Sequence, residues 1–363
     1  MMKATTRTGT TRAGDDVTMK VLRVLCLTAL IATVGGSGTA AQQHRVIFDT
    51  DFAVPPQDDG MALILALHSP EIDILGITTV AGNFSMEHAT SDVLRVLEID
   101  QRTDIPVYRG ANMPLVHEKS DYATRVWGEW WSDEPPPPPP GGFATKQAEA
   151  IGAAEFMVQT VKANPGEITI VAIGPLTNVA MAIRQAPDIA ANVKQIVIMG
   201  GAIALLPDGQ GNVTPNAEFN FWVDPEAARA VLRSGIPVVL SPLNVSRKTG
   251  LTKEWYERMV ATDTPITRLI RGTMGPQFES RPDRSALMYD QVAVASLIDP
   301  SLVTTRDLYV DVDDTAGLNY GVSVGGDRIW PGAEGAQRMG VQYDLDWERF
   351  ITLFVERVTR PAP

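Results

Sequence analysis

Short apolar runs rich in β-branched residues alternate along most of the chain with segments whose apolar residues recur at helical spacing. The short runs are typical of buried strands, and the longer patterns are typical of amphipathic helices. The predicted strands are Arg45–Asp49, Ile72–Val80, Ile105–Tyr108, Ile168–Ile173, Gln195–Met199 and Pro237–Leu240. The predicted helices are Asp58–His68, Met86–Leu97, Lys146–Ala163, Leu176–Gln185, Pro225–Arg233 and Thr252–Ala261. This alternation predicts a single doubly wound α/β domain, with a mainly parallel central sheet and helices on both faces.

The pattern changes near the end of the chain. Tyr309–Val312 and Tyr320–Val324 flank a turn near Asp313–Gly317, which predicts a late β-hairpin. A helical pattern returns at Asp346–Val358 and predicts a C-terminal helix.

One internal segment, residues 115–142, follows neither pattern. It carries Trp127, Trp130, Trp131 and the hexaproline Pro135–Pro140, and consecutive prolines require an extended chain. One interpretation is a surface loop packed against the body of the protein. The other is a lid whose tryptophans stack on a planar ligand. The first is favoured because most long loops carry no chemistry, even though functional residues are enriched in loops.

The N-terminal segment has the pattern of a secretory signal. Lys20 and Arg23 precede the short apolar run Val24–Val34, and small residues follow up to Ala41. The apolar run is too short to span a bilayer. We therefore expect residues 1–41 to be a signal peptide, residues 42–363 to be the mature domain, and the protein to be periplasmic or secreted. Met19 is the better start for such a signal, which makes residues 1–18 a candidate untranslated stretch.

Charge and cysteine content narrow the classes of partner. The formal net charge is −12, and residues 1–41 are themselves basic, so the expected mature protein is more acidic still. Such a protein disfavours nucleic acids and anionic membranes as partners and leaves small molecules open. Cys26 is the only cysteine and lies in the apolar run, so we expect neither disulfides nor thiolate metal ligands in the mature chain.

Four aspartates, Asp49, Asp51, Asp58 and Asp59, stand where the first predicted strand gives way to a loop and a helix. Carboxylates this close repel one another, and a hard divalent cation such as Ca²⁺, which takes six to eight oxygen ligands, would offset the repulsion. The simpler alternative is a solvated acidic loop with Asp58 as a helix N-cap. An apolar strand leading directly into the cluster favours a ligand site, because open α/β sheets bind ligands at the carboxyl ends of their strands.

Further polar residues follow other predicted strands. Asn83 follows the second strand, Asn178 ends the run Gly174-Pro175-Leu176-Thr177-Asn178, and Asn212, Glu218 and Asn220 share one polar loop. Each is weak evidence alone, because asparagine is a common turn residue. Together with the aspartates and the distant Asp290, they supply oxygens for a metal and a polyhydroxylated ligand.

These motifs resemble the calcium-dependent inosine-uridine-preferring nucleoside hydrolases. The resemblance covers nearly all of residues 45–358 and depends chiefly on the aspartate run and on Glu218-Phe219-Asn220-Phe221-Trp222-Val223-Asp224-Pro225-Glu226-Ala227. It implies an enzyme that cleaves the N-glycosidic bond of ribonucleosides to ribose and free base with a calcium-bound water. It also implies a homodimer or homotetramer.

The resemblance implies a role for each motif residue. Asp51 would be a calcium ligand and the general base, while Asp59, Asp290 and the backbone carbonyl of Ile173 would complete the metal site. Asp58, Asn83 and Asn220 would bind ribose hydroxyls, Asn212 and Glu218 would face the 5′-hydroxyl, and Met199 would pack under the sugar. Asp49 would orient the loop without touching the metal.

Two departures from the family pattern stand out. The segment between Asp51 and Asp58 is three residues longer and lacks the family's glycine. Tyr289 stands where the family commonly has a histidine that protonates the leaving base, and tyrosine, with a pKa near 10, is a poor acid at neutral pH. Either Tyr289 would hydrogen-bond the base, or the leaving group would be handled elsewhere in the site, so leaving-group activation is unassigned by the sequence. Of the four histidines, only His117 in the irregular loop is a plausible replacement.

Two other functions fit parts of the same pattern. Loss of the histidine would suit a non-catalytic calcium-dependent protein that binds nucleosides or sugars, whereas the retention of Asp51 beside Asp59 favours turnover. A phosphohydrolase with an aspartate nucleophile also begins with Asp-x-Asp after a strand, but a short motif alone is weak support.

Overall fold

The computed structural model describes residues 43–55, 57–118, 120, 124 and 135–360. Within these residues the strands form one nine-stranded sheet in the order β3-β2-β1-β4-β5-β6-β9-β7-β8. The strands are β1 His44–Thr50, β2 Ile72–Thr79, β3 Val107–Arg109, β4 Ile168–Ala172, β5 Gln195–Met199, β6 Val238–Ser241, β7 Val303–Val312, β8 Ser323–Gly326 and β9 Gln337–Leu345. All neighbours from β3 to β9 pair in parallel, and β7 pairs antiparallel with both β9 and β8. The predicted mainly parallel sheet is confirmed.

The order of the strands creates a switch point at the centre of the sheet. From β1 the chain moves outward through β2 to β3, and it then returns to the other side of β1 to form β4, β5 and β6. The segments leaving β1 and β4 therefore diverge at the carboxyl edge, where open α/β sheets form their binding crevices. The polar residues that follow β1, β2, β4 and β5 are brought to this same edge.

Helices cover the sheet. They are α1 Asp58–Leu67, α2 Met86–Ile99, α3 Ala153–Ala163, α4 Thr177–Gln185, α5 Phe219–Val223, α6 Pro225–Leu232, α7 Leu243–Ser246, α8 Lys253–Met259, α9 Pro265–Ser280, α10 Asp290–Ile298 and α11 Trp347–Val358. One-turn 3₁₀ helices lie at Pro187–Ala191 and Pro300–Leu302. Within the described part of the chain, no helix is long and apolar enough to cross a membrane.

The two faces of the sheet have separate hydrophobic cores. Val46 and Phe48 point into a core shared with α1, α2 and α10, whereas Ile47 points into the core under α3, α4 and α6. This alternation follows from the two-residue period of a strand. Every residue of α1 after Asp58 is buried, so the helix that carries the aspartate pair is enclosed by the core. The expectation of helices on both faces is confirmed.

One predicted helix was too long. The structure begins α3 at Ala153 instead of Lys146, after an extended Gly152. The backbone N–H groups of Thr145 and Lys146 donate to Glu98 Oε1, and that of Glu149 donates to Val107 O. These contacts hold the segment across α2 and β3, and the helical spacing of its side chains is not used.

The C-terminal part is more regular than predicted. The hairpin exists, with Val312 opposite Ser323, but its returning strand is Ser323–Gly326 instead of Tyr320–Val324. Helices α9 and α10 and strand β9 were not predicted. Residues Asp290–Leu297 of α10 are all buried, so that helix has no polar face to reveal its period. The predicted closing helix is α11.

Several expectations concern residues outside the described part. The signal segment 1–41 and the three tryptophans of the irregular loop lie there, so the export prediction and the lid interpretation stay predictions. The described residues from Gln43 to Arg360 belong to one compact unit.

Candidate active site

The acidic cluster begins at the end of β1. Asp49 lies inside the strand, Asp51 directly follows it, and Asp58 and Asp59 open α1, with Gln57 as the N-cap residue. Asp58 is therefore the first helical residue and not the N-cap of the simpler alternative. Asp49, Asp51 and Asp59 are fully buried, and Asp58 is half-buried at the cavity.

Asp51 is held between two glycine-containing turns. Its Oδ2 accepts a hydrogen bond of 2.5 Å from the backbone N–H of Asn83. A Cβ on Gly82 would overlap this carboxylate, and one on Gly174 would lie 2.9 Å from Oδ1. Oδ1 is buried and has no hydrogen-bond partner. One oxygen of Asp51 is thus fixed, while the other is available to a ligand.

Asp59 and Asp290 bring two distant parts of the chain together. Thr50 Oγ1 donates to Asp59 Oδ1 at 2.5 Å, and Asn83 Nδ2 donates to Oδ2 at 3.4 Å. Carboxylate oxygens of Asp58, Asp59 and Asp290 lie within 4.8 Å of one another. Asp290 is the first residue of α10, which packs against α1 in the core, and this packing explains the approach of residues so far apart in sequence.

The raised pKa values of the clustered carboxylates favour a bound cation. Burial raises the pKa of Asp51 and Asp290 well above the usual range, and the charges of neighbouring aspartates raise it further. Burial also raises the pKa of Asp59, and that of Asp58 to about 7. Buried carboxylates with raised pKa values, one with an unpartnered oxygen, suit a hard divalent cation with oxygen ligands. The residues present therefore fit a metal site.

Asp49 has a different environment from the rest of the cluster. Its Oδ1 accepts hydrogen bonds from Thr78 Oγ1 at 2.5 Å and Asn178 Nδ2 at 2.7 Å. Burial nevertheless raises its pKa to about 7. Asn178 also donates to Thr79 O and accepts from the backbone N–H of Ala111. Asp49 and Asn178 therefore tie β1, β2 and α4 together beneath the cluster.

Residues after β4 and β5 form the adjoining wall. Asn220 Nδ2 donates to the carbonyls of Ile173 at 2.9 Å and Met199 at 3.2 Å. Ile173 is itself a lining residue of the cavity. Asn220 Oδ1 is buried without a partner, so this amide is oriented by the carbonyls and has an acceptor free for a ligand hydroxyl.

Glu218 caps α5. Its Oε1 accepts from the backbone N–H of Asn220 at 2.9 Å, and its Oε2 accepts from Gly201 at 2.9 Å and Phe221 at 3.1 Å. Burial raises its pKa to about 7 even though these donors oppose the shift. Glu218 lines the cavity, and a carboxylate has lone pairs beyond three bonds. Its structural role does not prevent contact with a ligand.

These walls enclose a cavity of about 480 Å³. Most of the predicted site residues line it, and Asn212 is exposed, whereas Asp51 and Asp59 are buried and are not lining residues. The lining residues are Gln57, Asp58, Asn83, Ile173, Met199, Asn212, Val213, Glu218, Phe219, Asn220, Arg284, Ser285, Ala286, Leu287, Tyr289 and Asp290. A volume of this size suits a small molecule.

Tyr289 lines the cavity as the residue before α10. Burial raises its pKa, and the negative charge of Asp58 raises it further. Its hydroxyl therefore stays protonated and can donate a hydrogen bond, although it is a weak acid. His117 lies elsewhere: its Nδ1 is 3.1 Å from the carbonyls of Trp222 and Val223, and its ring meets Trp222 edge-on. His117 is not among the lining residues in the described structure, so it does not replace the missing histidine there.

Some site residues escaped the sequence analysis. Thr50 orients Asp59, and Asn178 supports Asp49. The motif Gly174–Asn178 had drawn attention to Asn178 without a role. Gln57, Arg284, Ser285 and Leu287 line the cavity, yet they belong to loops with no periodic pattern. Only the packing of α9 and α10 brings residues 284–287 to the cavity.

Comparison with known proteins gives a consistent result. The family model for inosine-uridine preferring nucleoside hydrolases matches residues 46–352. Pyrimidine-specific ribonucleoside hydrolases RihB from Escherichia coli O17:K52:H18 and O9:H4 are 34% and 35% identical over 310 residues, which cover 84% of this chain and 95% of each relative. A plant nucleoside hydrolase, PpNRh1, is 30% identical with a TM-score of 0.74 over 88% of this chain and 99% of its own. A purine-preferring ribonucleoside hydrolase from Gardnerella vaginalis is 28% identical with a TM-score of 0.72 over 87% and 98%.

Proposed function

Because the chain belongs to the inosine-uridine preferring nucleoside hydrolase family, we propose that it is an exported, calcium-dependent enzyme that hydrolyses ribonucleosides to ribose and free base. Family membership makes the chain a nucleoside hydrolase. The metal, the export and the residue roles are the proposal.

The observation that carries the proposed mechanism is the convergence of buried carboxylates on one cavity. Carboxylate oxygens of Asp58, Asp59 and Asp290 lie within 4.8 Å of one another. Asp51 is not part of that group, but the charge of Asp59 acts on it, and its Oδ1 is buried without a hydrogen-bond partner. When bound there, Ca²⁺ would lower the pKa of a coordinated water and orient it toward the sugar. Asp51, Asp59, Asp290 and the Ile173 carbonyl would hold the ion. Calcium is favoured over magnesium because Ca²⁺ takes six to eight oxygen ligands and accepts a mixture of carboxylate, carbonyl and water donors, whereas Mg²⁺ demands a near-ideal octahedron.

Asp51 is the proposed general base. Its Oδ2 is fixed by the Asn83 backbone, so its unpartnered Oδ1 is the atom that would take the proton from the attacking water. A raised pKa suits a group that must accept a proton near neutral pH. Water attack without a covalent intermediate predicts inversion at the anomeric carbon.

The remaining wall would bind the sugar. Asp58, Asn83 and Asn220 would hold ribose hydroxyls, with Asn212 and Glu218 near the 5′-hydroxyl and Met199 under the ring. Cleavage passes through a positively charged sugar. Carboxylates and amide oxygens oriented before the reaction stabilise such a charge as it develops. The buried acceptor of Asn220, held by two backbone carbonyls, is of this kind.

Pyrimidine ribonucleosides are the proposed preferred substrates. The RihB relatives are named pyrimidine-specific and match nearly their whole length. The structurally similar hydrolase from Gardnerella vaginalis is named purine-preferring, so the purine nucleoside inosine is the substrate to compare with the pyrimidine nucleosides.

A reducing-sugar assay with uridine, cytidine and inosine, with and without EDTA, tests the proposal. We expect ribose release that EDTA stops and calcium restores, with the pyrimidine substrates faster. Release that EDTA does not affect would contradict the metal proposal, and faster release from inosine would contradict the pyrimidine preference. Tight binding of uridine without any release would favour a binding protein.

Cell fractionation of the producing cells tests export, which retention in the cytoplasm would contradict.

A further inference from the structure

The acidic lining of the cavity would repel the negatively charged base that leaves during the reaction. When the C1′–N bond breaks, its electron pair remains on the base nitrogen, and the departing base becomes negative unless it gains a proton. The lining includes the acidic residues Asp58, Glu218 and Asp290, which would repel that charge. Among the described lining residues there is no histidine or lysine, and Arg284 is the one cation.

Arg284 is positioned by contacts outside the cavity. Its Nη1 donates to Gln277 Oε1 at 2.5 Å, and its backbone N–H donates to Arg281 O at 3.1 Å. Gln277 lies on α9, so a regular element orients the guanidinium. The side chain is half-buried, and one hydrogen bond to Gln277 leaves its other N–H groups available.

The same segment brings Arg284 and Tyr289 to one side of the site. Both line the cavity, and the segment ends at Asp290, whereas the proposed ribose ligands come from α1 and from the loops after β2, β4 and β5. With the ribose held at those loops, the lining left for the base consists of residues from the segment 284–289 together with Gln57, Val213 and Phe219. A guanidinium does not protonate a leaving group, because it keeps its proton in proteins, but it stabilises an anion through charge-assisted hydrogen bonds.

We propose that Arg284 stabilises the negative charge on the departing nucleobase, with Gln277 positioning its guanidinium. This inference rests on the proposed function. In the reaction, water oxygen bonds to C1′ and loses a proton to Asp51, the C1′–N bond breaks, and its electron pair stays on the base. Arg284 and the Tyr289 hydroxyl donate hydrogen bonds to the base, which takes a proton from solvent as it leaves.

The test compares two leaving groups in the calcium-loaded protein. Uridine releases a base anion that needs stabilisation, whereas p-nitrophenyl β-D-ribofuranoside releases a stable phenolate that does not. For Arg284→Gln we expect kcat on uridine to fall about 10²-fold, as for loss of one preorganised donor, with kcat on the phenyl riboside nearly unchanged. Arg284→Lys should recover part of the uridine rate. Gln277→Ala should show the same selectivity with a smaller loss.

Arg281→Gln is the matched control, because the Arg281 side chain is exposed and outside the cavity lining, and the substitution keeps the backbone carbonyl that accepts from Arg284. It should leave both rates unchanged. Equal loss on both substrates in Arg284→Gln, or no loss on uridine, would overturn the inference. The unfolding temperature and the calcium affinity of each variant show whether a substitution disturbs the fold or the metal site. If Arg284→Gln is disturbed in this way, the comparison of the two substrates is made with Arg284→Lys. If the unaltered protein hydrolyses neither substrate, the proposed function itself fails.

Discussion

At the scale of single residues, hydrogen-bond partners distinguish carboxylates that look alike in sequence. Asp49 and Asp51 are two positions apart and both buried. Asp49 Oδ1 receives two side-chain donors, Thr78 and Asn178, whereas Asp51 Oδ2 receives one backbone donor. The second oxygen of each, Asp49 Oδ2 and Asp51 Oδ1, is buried without a partner. Asp49 is tied to β2 and α4 by its donors, whereas Asp51, just beyond the end of β1, interacts with Asp59 at the start of α1. Neighbouring groups therefore decide that Asp49 supports the sheet while Asp51 belongs to the acidic cluster.

The metal-free protein should lose stability as pH rises through the range in which Asp49 titrates. Its pKa is raised from 3.8 to about 7 in the folded state, so between these values the folded state binds more protons than the unfolded state. A shift of about three pKa units corresponds to at most about 4 kcal/mol between the two protonation states. Asp49→Asn mimics the protonated form and keeps an acceptor for Thr78 and Asn178. We expect this variant, in EDTA, to have a flatter dependence of unfolding free energy on pH between 4 and 8, measured by urea denaturation. An unchanged slope would show that Asp49 does not titrate as described.

Asp59→Asn should abolish calcium binding and turnover together. Asp59 is buried beside Asp58 and Asp290, and an amide is a weaker ligand with no charge to balance the cation. The amide oxygen can still accept from Thr50, so folding should be retained. Calorimetric titration with calcium and the ribose-release assay measure the two effects. Asp104→Asn, which removes an exposed aspartate far from the cavity, is the control for loss of one charge. Normal calcium affinity in Asp59→Asn would remove this residue from the metal site.

At the scale of elements, the lengthened loop between Asp51 and α1 is held from both ends. Phe52 is fully buried, and the backbone N–H of Val54 donates to Asp92 Oδ2 at 3.0 Å. Asp92 lies on α2, where His88 Nε2 is 3.4 Å from the same oxygen. A Cβ on Gly60 would meet Ala53 O at 2.5 Å, so the loop packs closely over the start of α1. The additional residues therefore take a path defined by α2 and α1, and the aspartates at both ends still converge.

Asp92→Ala should weaken calcium binding without unfolding the protein. The substitution removes the acceptor for Val54 and loosens the loop that precedes Asp58 and Asp59. Loss of an indirect partner of this kind typically lowers metal affinity about 10- to 100-fold. Asp92→Asn keeps an acceptor and should be close to normal. Calorimetry gives the calcium affinity, and thermal unfolding in EDTA gives the stability of the metal-free fold. Equal calcium affinity in the alanine and asparagine variants would argue against this role.

At the scale of the whole molecule, the core on one face of the sheet fixes the geometry of the acidic site. Helices α1 and α10 pack in one core and carry Asp59 and Asp290 at their first turns. Repulsion between these carboxylates lowers the free energy of unfolding, and a bound cation would offset that loss. The proposed metal binding would therefore be coupled to folding across elements that lie more than 200 positions apart in the sequence.

Calcium should raise the unfolding temperature of the protein. Binding to the folded state alone adds about 2.7 kcal/mol when free calcium is 100 times the dissociation constant, which predicts a rise of several degrees. Magnesium should have a smaller effect, because it requires a tighter octahedral arrangement. The Asp59→Asn variant should not respond to calcium. Differential scanning calorimetry in EDTA, calcium and magnesium measures these differences. A midpoint unaffected by calcium would contradict a metal site in the folded protein.

The amino-acid sequence by itself determined the α/β class, six of the parallel strands and the motif residues of the site. Local periodicity was sufficient because the strands of a parallel sheet are short apolar runs and most of the helices have one polar face. Local periodicity was insufficient in α10, because complete burial leaves no contrast between a polar and an apolar face. It was also insufficient at residues 146–152, where backbone hydrogen bonds to distant residues take the place of a helix.

Only the tertiary structure decided how the site residues divide their work. Asp290 meets Asp59 because α10 packs on α1, Arg284 reaches the cavity because of α9, and His117 is held on α5 by its contacts with the Trp222 and Val223 carbonyls. None of these contacts has a local signature, since each depends on surfaces contributed by distant segments. A sequence pattern records which face of an element is buried, whereas the partner of that face is chosen by packing over the whole domain.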